Sequence, residues 1–258
     1  MDEKNIRKIT EGLQRVAGHL WDRGWAERNG GNISFRLDPD EKENNDEDVI
    51  NSIKADLPEG YGGMALLISG TGKRMRDLAS GQGWGLIRIL KDNSGYDVLW
   101  SADPDFRATS ELPTHLMVHD GIDNDQKAVV HCHPTELIAL SHHHIYGYDE
   151  KSLTRKLWAM MPEIRIFLPR GISIVPYTLT GSDSLAELTV KSIRSSDVAL
   201  WSMHGALATG KDIDDAFDKI DLANKGAEIL LKCLCAGFEP VGIDEMSLKK
   251  LGDHFKGK

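Results

Sequence analysis

The sequence predicts a single α/β domain built on a layered sheet whose strands are mixed or largely antiparallel. Three observations predict it. Strand-like runs and helix-like periodicities interleave along the whole chain. Two strand runs, GLIRIL (85–90) and YDVLW (96–100), meet at an Asp92–Gly95 turn in the manner of a hairpin. The 258 residues carry no internal repeat and no linker that would divide them, and that length is ample for one sizeable core.

Taken in order, Ile6, Ile9, Leu13, Val16, Leu20 and Trp21 recur at steps of three and four, the apolar stripe of an amphipathic helix that stops near Gly24. ERNGGN (27–32) is a turn, because adjacent glycines admit backbone angles closed to other residues. Ile33, Phe35 and Leu37 then alternate as in a strand. DPDEKENNDED (38–48) is a solvated acidic loop. MALLI (64–68) is a buried strand running into SGTGK, and the hairpin follows it. SELPTHLMVHD (110–120) is helical, with Ser110 as its cap. AVVHCH (128–133) is a strand stopped by Pro134. PTELIALSHH and SLTRKLWAMM are helical, whereas IRIFL (164–168) and ISIVPY (172–177) are strands. Ser182 caps a helix over 182–196, and DVALW (197–201) is a strand. The longest helix spans 212–238 and is closed by Gly237, and a short one is expected around Ser247–Phe255.

Composition removes several function classes. A net charge of -9 opposes a phosphate backbone, so nucleic acid is not expected as a partner. An anionic substrate would need a locally positive site to overcome that field. No run approaches the roughly 18 apolar residues of a membrane span, and the start, MDEKNIRKIT, has no apolar signal core. Three cysteines, an odd number, do not form a disulfide framework, and a reducing, cytoplasmic setting is expected. Two cofactor loops fail on inspection. A P-loop ending at Gly72-Lys73 would need a glycine where Leu67 stands. GTGKRM and GQGWGL have Met75 and Leu86 in place of the last glycine of a dinucleotide fingerprint. No nucleotide cofactor is expected.

The histidines carry the chemistry. His131 and His133 are two apart on a strand, so both imidazoles point to one face and can chelate one metal, while Cys132 points to the other and is buried. Taken alone, the pair is equally compatible with hydrogen-bonded histidines at a sheet end. His204 follows the strand DVALW and precedes Gly205, a place where the backbone can turn sharply. Three neutral imidazoles with an open position fit catalytic zinc. A competing line, Glu111, His115 and His119 at helical spacing, could also bind a metal, although innocent polar residues on a helix face are commoner. His142, His143 and His144 read as solvent-exposed, and Cys233 and Cys235 diverge on their helix. Ser69, Gly70, Thr71 and Gly72 form a glycine turn suited to an anion, with Lys73 peripheral. Thr109 and Ser110 precede a helix N-terminus, and Asn29 and Asn32 offer amide donors. Each of these is a plain turn or cap when taken singly; together with the histidines they suggest a phosphorylated substrate.

ERNGGN, SGTG, TSELPTH, VVHCHPTELIAL and WSMHG occur in this order, and with them the chain resembles the class II aldolase/adducin family from about Trp21 to Gly237. The resemblance implies one domain over residues 1–258, a three-layer α/β/α arrangement with a central, largely antiparallel sheet. It also implies a homotetramer with sites at subunit interfaces. It assigns His131, His133 and His204 to one zinc ion per subunit and Glu111 to acid/base catalysis. It places Asn29, Asn32, Ser69, Gly70, Thr109 and Ser110 around the phosphate and the bound ketone. It matches Glu163, in MMPEIRIF, to a second catalytic glutamate at the aldehyde end. The activity implied is zinc-dependent retro-aldol cleavage of a phosphorylated ketose. Other sugar-phosphate enzymes of the same family, a zinc hydrolase and a non-catalytic scaffold are the alternatives.

Overall fold

The structure is a computed structural model that describes residues 3–38 and 49–256, so most of the acidic run expected at 38–48 lies outside the described residues. Its strands are β1 (Asn32–Arg36), β2 (Asn51–Lys54), β3 (Ala65–Ser69), β4 (Trp84–Ile89), β5 (Gly95–Ser101), β6 (Ala128–Cys132), β7 (Ile172–Val175), β8 (Val198–Trp201) and β9 (Gly205–Gly210). Among the described residues these nine form one sheet in the order β2-β5-β4-β3-β1-β6-β9-β8-β7. Each neighbouring pair is antiparallel except β7 with β8. The expected mixed, largely antiparallel sheet is what forms, and β4 and β5 make the expected hairpin.

Alternation along the central strands decides which helix covers which face. Ala128, Val130 and Cys132 of β6 enter one apolar core, and Val129 enters another. In β3, Ala65 and Leu67 join the first core while Leu66 and Ile68 face the opposite side. The first face is covered by α1 (Glu3–Asp22), α2 (Met75–Ala79), α4 (Thr135–Ser141), α5 (Glu150–Trp158), α6 (Pro162–Phe167) and α8 (Ile213–Cys235). The second is covered by α3 (Leu112–Gly121) and α7 (Asp183–Ser195). The closing helix α9 (Glu245–Phe255) buries Leu248. With apolar side chains buried on both faces, the sheet needs a helical layer on each, which is the three-layer arrangement.

Two expectations are corrected. IRIFL is not a strand but most of α6. Pro162 occupies the first turn, where its fixed φ suits a helix start. Ile164 and Leu168, four apart, are the fully buried pair, while Phe167 is exposed. Ser110 does not cap α3. Glu111 holds the N-cap position, and its N–H donates to Thr109 Oγ1 at 3.3 Å. Strands β2 and β9 and the short α2 were not anticipated. β9, GALATG, is built from small residues of low strand propensity, yet it lies buried along its whole length between β6 and β8.

Candidate metal centre

His131 leaves β6 on the face opposite Cys132, whose burial pushes its thiol far up from the usual range. His133 follows at the strand end, where its N–H donates to Trp25 O at 2.8 Å. His204 sits in the turn between β8 and β9. That turn is closed by its N–H on Trp201 O at 3.1 Å and by Met203 at φ 60°. The three rings lie 5.2, 5.0 and 5.2 Å apart by centroid, and one nitrogen from each falls within 4.8 Å of the others.

The donor set fits a divalent metal. His131 Nδ1 donates to Ala206 O at 3.0 Å and His133 Nδ1 donates to Glu27 Oε1 at 2.5 Å, so both Nε2 lone pairs are left for a ligand. His133 Nε2 is buried and, among the described residues, has no hydrogen-bond partner. An unmade bond of that kind costs about 1–3 kcal/mol unless something else takes the lone pair. Burial drives His131 well below the usual imidazole range, and burial followed by the neighbouring His133 takes His204 down to about 4. Neutral imidazoles are the form a metal needs. Trp201 packs 4.3 Å from the His131 ring and 5.0 Å from that of His204, holding both. The cradle is made by glycines. A Cβ at Gly205 would stand 2.9 Å from both His131 Cε1 and His133 Cδ2, and one at Gly30 would stand 2.8 Å from His133 Cε1.

Glu111 faces this trio, its Oε2 4.0 Å from His131 Nε2. Asn32 Nδ2 donates to the same carboxylate oxygen at 3.0 Å. Burial raises the Glu111 pKa above the ordinary carboxylate value, opposed by the Asn32 hydrogen bond and by His133. Ser69, Gly70 and Thr109 are brought to the same end of the sheet. Thr109 N–H donates to Ser69 O, Ser69 Oγ accepts from Ile33 N–H at 3.1 Å, and Gly70 bridges Ala108. The glycine turn is less of an anion nest than its sequence suggests, because the N–H groups of Gly70, Thr71 and Lys73 are already bonded to Gly83 O, Arg107 O and Gly70 O. Its hydroxyls remain as donors. Asn29 and Ser110 are exposed, the first in the turn beside His133 and the second next to Glu111. Lys73 is turned to Asp103 at 2.6 Å.

Glu163 is the one candidate that lies apart. It is exposed at the start of α6, on the face of the sheet opposite the one His131 points to. There it lines a cleft of about 570 Å³ with Lys211, Asp214, Asp218 and Lys219, and none of the three histidines borders it. Glu27 and Trp201 are partners of the trio that the sequence reading did not single out, although both lie inside motifs it used.

The family model of the Class II Aldolase and Adducin N-terminal domain matches residues 11–231. The chain is 40% identical to a rhamnulose-1-phosphate aldolase of Bacteroides thetaiotaomicron, over 98% of this chain and 94% of that one. It is 31% identical to a protein of the same name from an Enterobacter species, over 96% and 92% of the two chains. Among solved structures it superposes on a sugar-phosphate aldolase from Thermotoga maritima with a TM-score of 0.80 and 35% identity, covering 92% of this chain and all of the other. An L-fuculose 1-phosphate aldolase, 18% identical, shares the fold with a TM-score of 0.66, over 96% of each chain.

Proposed function

The chain belongs to the class II aldolase and adducin family, and from that premise we propose that it cleaves L-rhamnulose 1-phosphate to dihydroxyacetone phosphate and L-lactaldehyde with one zinc ion per subunit. The observation that carries this reading is the convergence of three imidazoles beside a largely buried carboxyl, in a chain whose relatives are named for that reaction.

Retro-aldol cleavage breaks the C3–C4 bond. The C4 hydroxyl gives up a proton as the aldehyde forms, and the electron pair stays on C3 next to the ketone. His131, His133 and His204 would hold the cation, which when bound supplies Lewis-acid chemistry that polarises the ketone and stabilises the charge left on carbon. Glu111 delivers the proton that C3 then needs. Without the cation, burial raises its pKa above the ordinary carboxylate value, and Asn32 sets its orientation. Asn29, Asn32, Ser69, Gly70, Thr109 and Ser110 surround the phosphate and the ketone end, with hydroxyl and side-chain amide groups as the donors. Glu163 receives the C4 proton at the aldehyde end. Because it lies apart from the trio of its own chain, that role requires Glu163 of a neighbouring subunit, in keeping with a homotetramer whose sites are shared.

Among the described residues no helix is long and apolar enough to cross a membrane. The reading places the enzyme in the cytoplasm, where its three free thiols stay reduced. The test is turnover of L-rhamnulose 1-phosphate and L-fuculose 1-phosphate, with dihydroxyacetone phosphate and lactaldehyde trapped separately, and of L-ribulose 5-phosphate, with epimerisation at C4 followed. Fastest turnover of the rhamnulose ester is expected. Faster turnover of either other ketose would overturn the substrate assignment.

A further inference from the structure

Behind Glu111 and Asn32 runs a chain of buried polar groups that the cleavage mechanism does not use. Asn32 Oδ1 lies 2.6 Å from His115 Nε2, His115 Nδ1 lies 2.7 Å from Ser34 Oγ, and Ser34 Oγ lies 2.8 Å from His119 Nε2. Asn32 and Ser34 share one face of β1, and His115 and His119 are one turn apart on α3, so strand and helix periodicities meet side by side. Both histidines are 0% exposed. Among the described residues they belong to no cluster of three metal-ligating groups, so the competing metal line that their spacing allowed does not form.

Donor and acceptor counting gives the chain one direction. The Asn32 amide donates through Nδ2 to the Glu111 carboxylate, so its Oδ1 must accept from His115 Nε2–H. A neutral His115 then accepts at Nδ1 from the Ser34 hydroxyl, which in turn accepts from His119 Nε2–H. The chain ends at His119 Nδ1, a buried atom with no hydrogen-bond partner among the described residues. In this direction the orphan is a lone pair. In the reverse direction it would be a buried N–H, which is the rarer and costlier case. Reversal would also set Asn32 Oδ1 against the Glu111 carboxylate, oxygen facing oxygen. Both terms favour the first arrangement.

We propose that His115, through Ser34 and His119, is a positioning residue for catalysis. It locks the Asn32 amide with its NH₂ toward Glu111, and so holds the Glu111 carboxyl beside His131. Burial supports this by keeping both imidazoles neutral, with one donor and one acceptor nitrogen each. The inference rests on the reading of Glu111 as the acid/base, and the variants below separate the two.

His115→Phe removes the donor, whereas His115→Gln retains a donor toward Asn32 and an acceptor toward Ser34. For His115→Phe, kcat falls about tenfold or more, part of the roughly 10²–10⁴ that general acid–base help supplies, while KM and zinc content stay within about twofold. His115→Gln recovers kcat to within about threefold of the parent. In the unsubstituted protein, long-range ¹H–¹⁵N spectra show both His115 and His119 as Nε2–H tautomers, a readout that needs neither substrate nor the folding of a variant. Parent-like kcat in His115→Phe, equal loss in His115→Gln, or Nδ1–H tautomers would each overturn the proposal. Glu111→Gln is the control for the underlying reading. If it keeps its kcat, the acid/base assignment itself fails, whatever His115 does.

Discussion

At His133 one ring nitrogen is committed to Glu27 at 2.5 Å, and the other is buried without a hydrogen-bond partner among the described residues. A carboxylate behind a ligand imidazole fixes its tautomer and raises its basicity, and losing such a partner typically costs about 10–100-fold in metal affinity. Glu27→Ala is therefore expected to weaken zinc by that factor, read by competition with a chromogenic chelator, while the fold persists because the Glu27 side chain is 68% exposed. His115 gives a pH prediction. Burial takes its pKa down to about 3, against roughly 6.5 in the unfolded chain. Between those values the unfolded chain binds a proton that the folded one refuses, so stability falls as pH is lowered through that window, by up to about 1.4 kcal/mol per unit. His115→Gln lacks this term. Denaturant unfolding of metal-free protein should show the variant gaining on the parent between pH 6.5 and 5, and parallel curves would contradict it. The His131 and His133 pair was legible because a two-residue strand spacing dictates a shared face, and His204 from its place between a strand end and Gly205. Glu27 was not, since no spacing ties a turn carboxylate to a ring that only the fold brings beside it.

Among the elements, β9 shows what spacing alone cannot reveal. Its Gly205–Gly210 run reads as a poor strand, but a Cβ at Gly205 would stand 2.5 Å from Cys132 O as well as against two ligand rings. The small residues serve close approach between β6 and β9, a tertiary demand absent from any local pattern. Gly205→Ala should displace His131 and His133. The expected result is loss of stoichiometric zinc with far-ultraviolet circular dichroism retained, and full zinc occupancy would contradict the account. By contrast, α1 was legible from its apolar stripe, and the Ser182 cap read for α7 forms as expected, accepting from Leu185 N–H at 3.2 Å. The error over α6 lay in reading IRIFL as a strand. Burial picks out the pair four apart, and Pro162 starts the helix.

For the molecule as a whole, the layered α/β sheet was legible because strand runs and helical stretches interleave, while its three-layer form came from the resemblance. What the sequence could not place is Glu163, whose proposed role depends on assembly. Exposed Tyr148, Tyr177 and Met203 line a cleft of about 620 Å³ next to the His204 turn, an apolar surface suited to a neighbouring subunit. If the site is shared, Glu163→Gln and His204→Ala proteins, each inactive alone, should recover activity when their subunits are mixed by co-expression. Failure of mixed assemblies to recover any would place Glu163 outside catalysis. The expectations about zinc and catalysis presuppose a cation gripped by the three imidazoles. The most direct test is to measure zinc per subunit and L-rhamnulose 1-phosphate cleavage on the same preparation, before chelation, after chelation and after zinc is restored. The account predicts one zinc per subunit, activity lost with it and regained with it; undiminished cleavage by metal-free protein would contradict it.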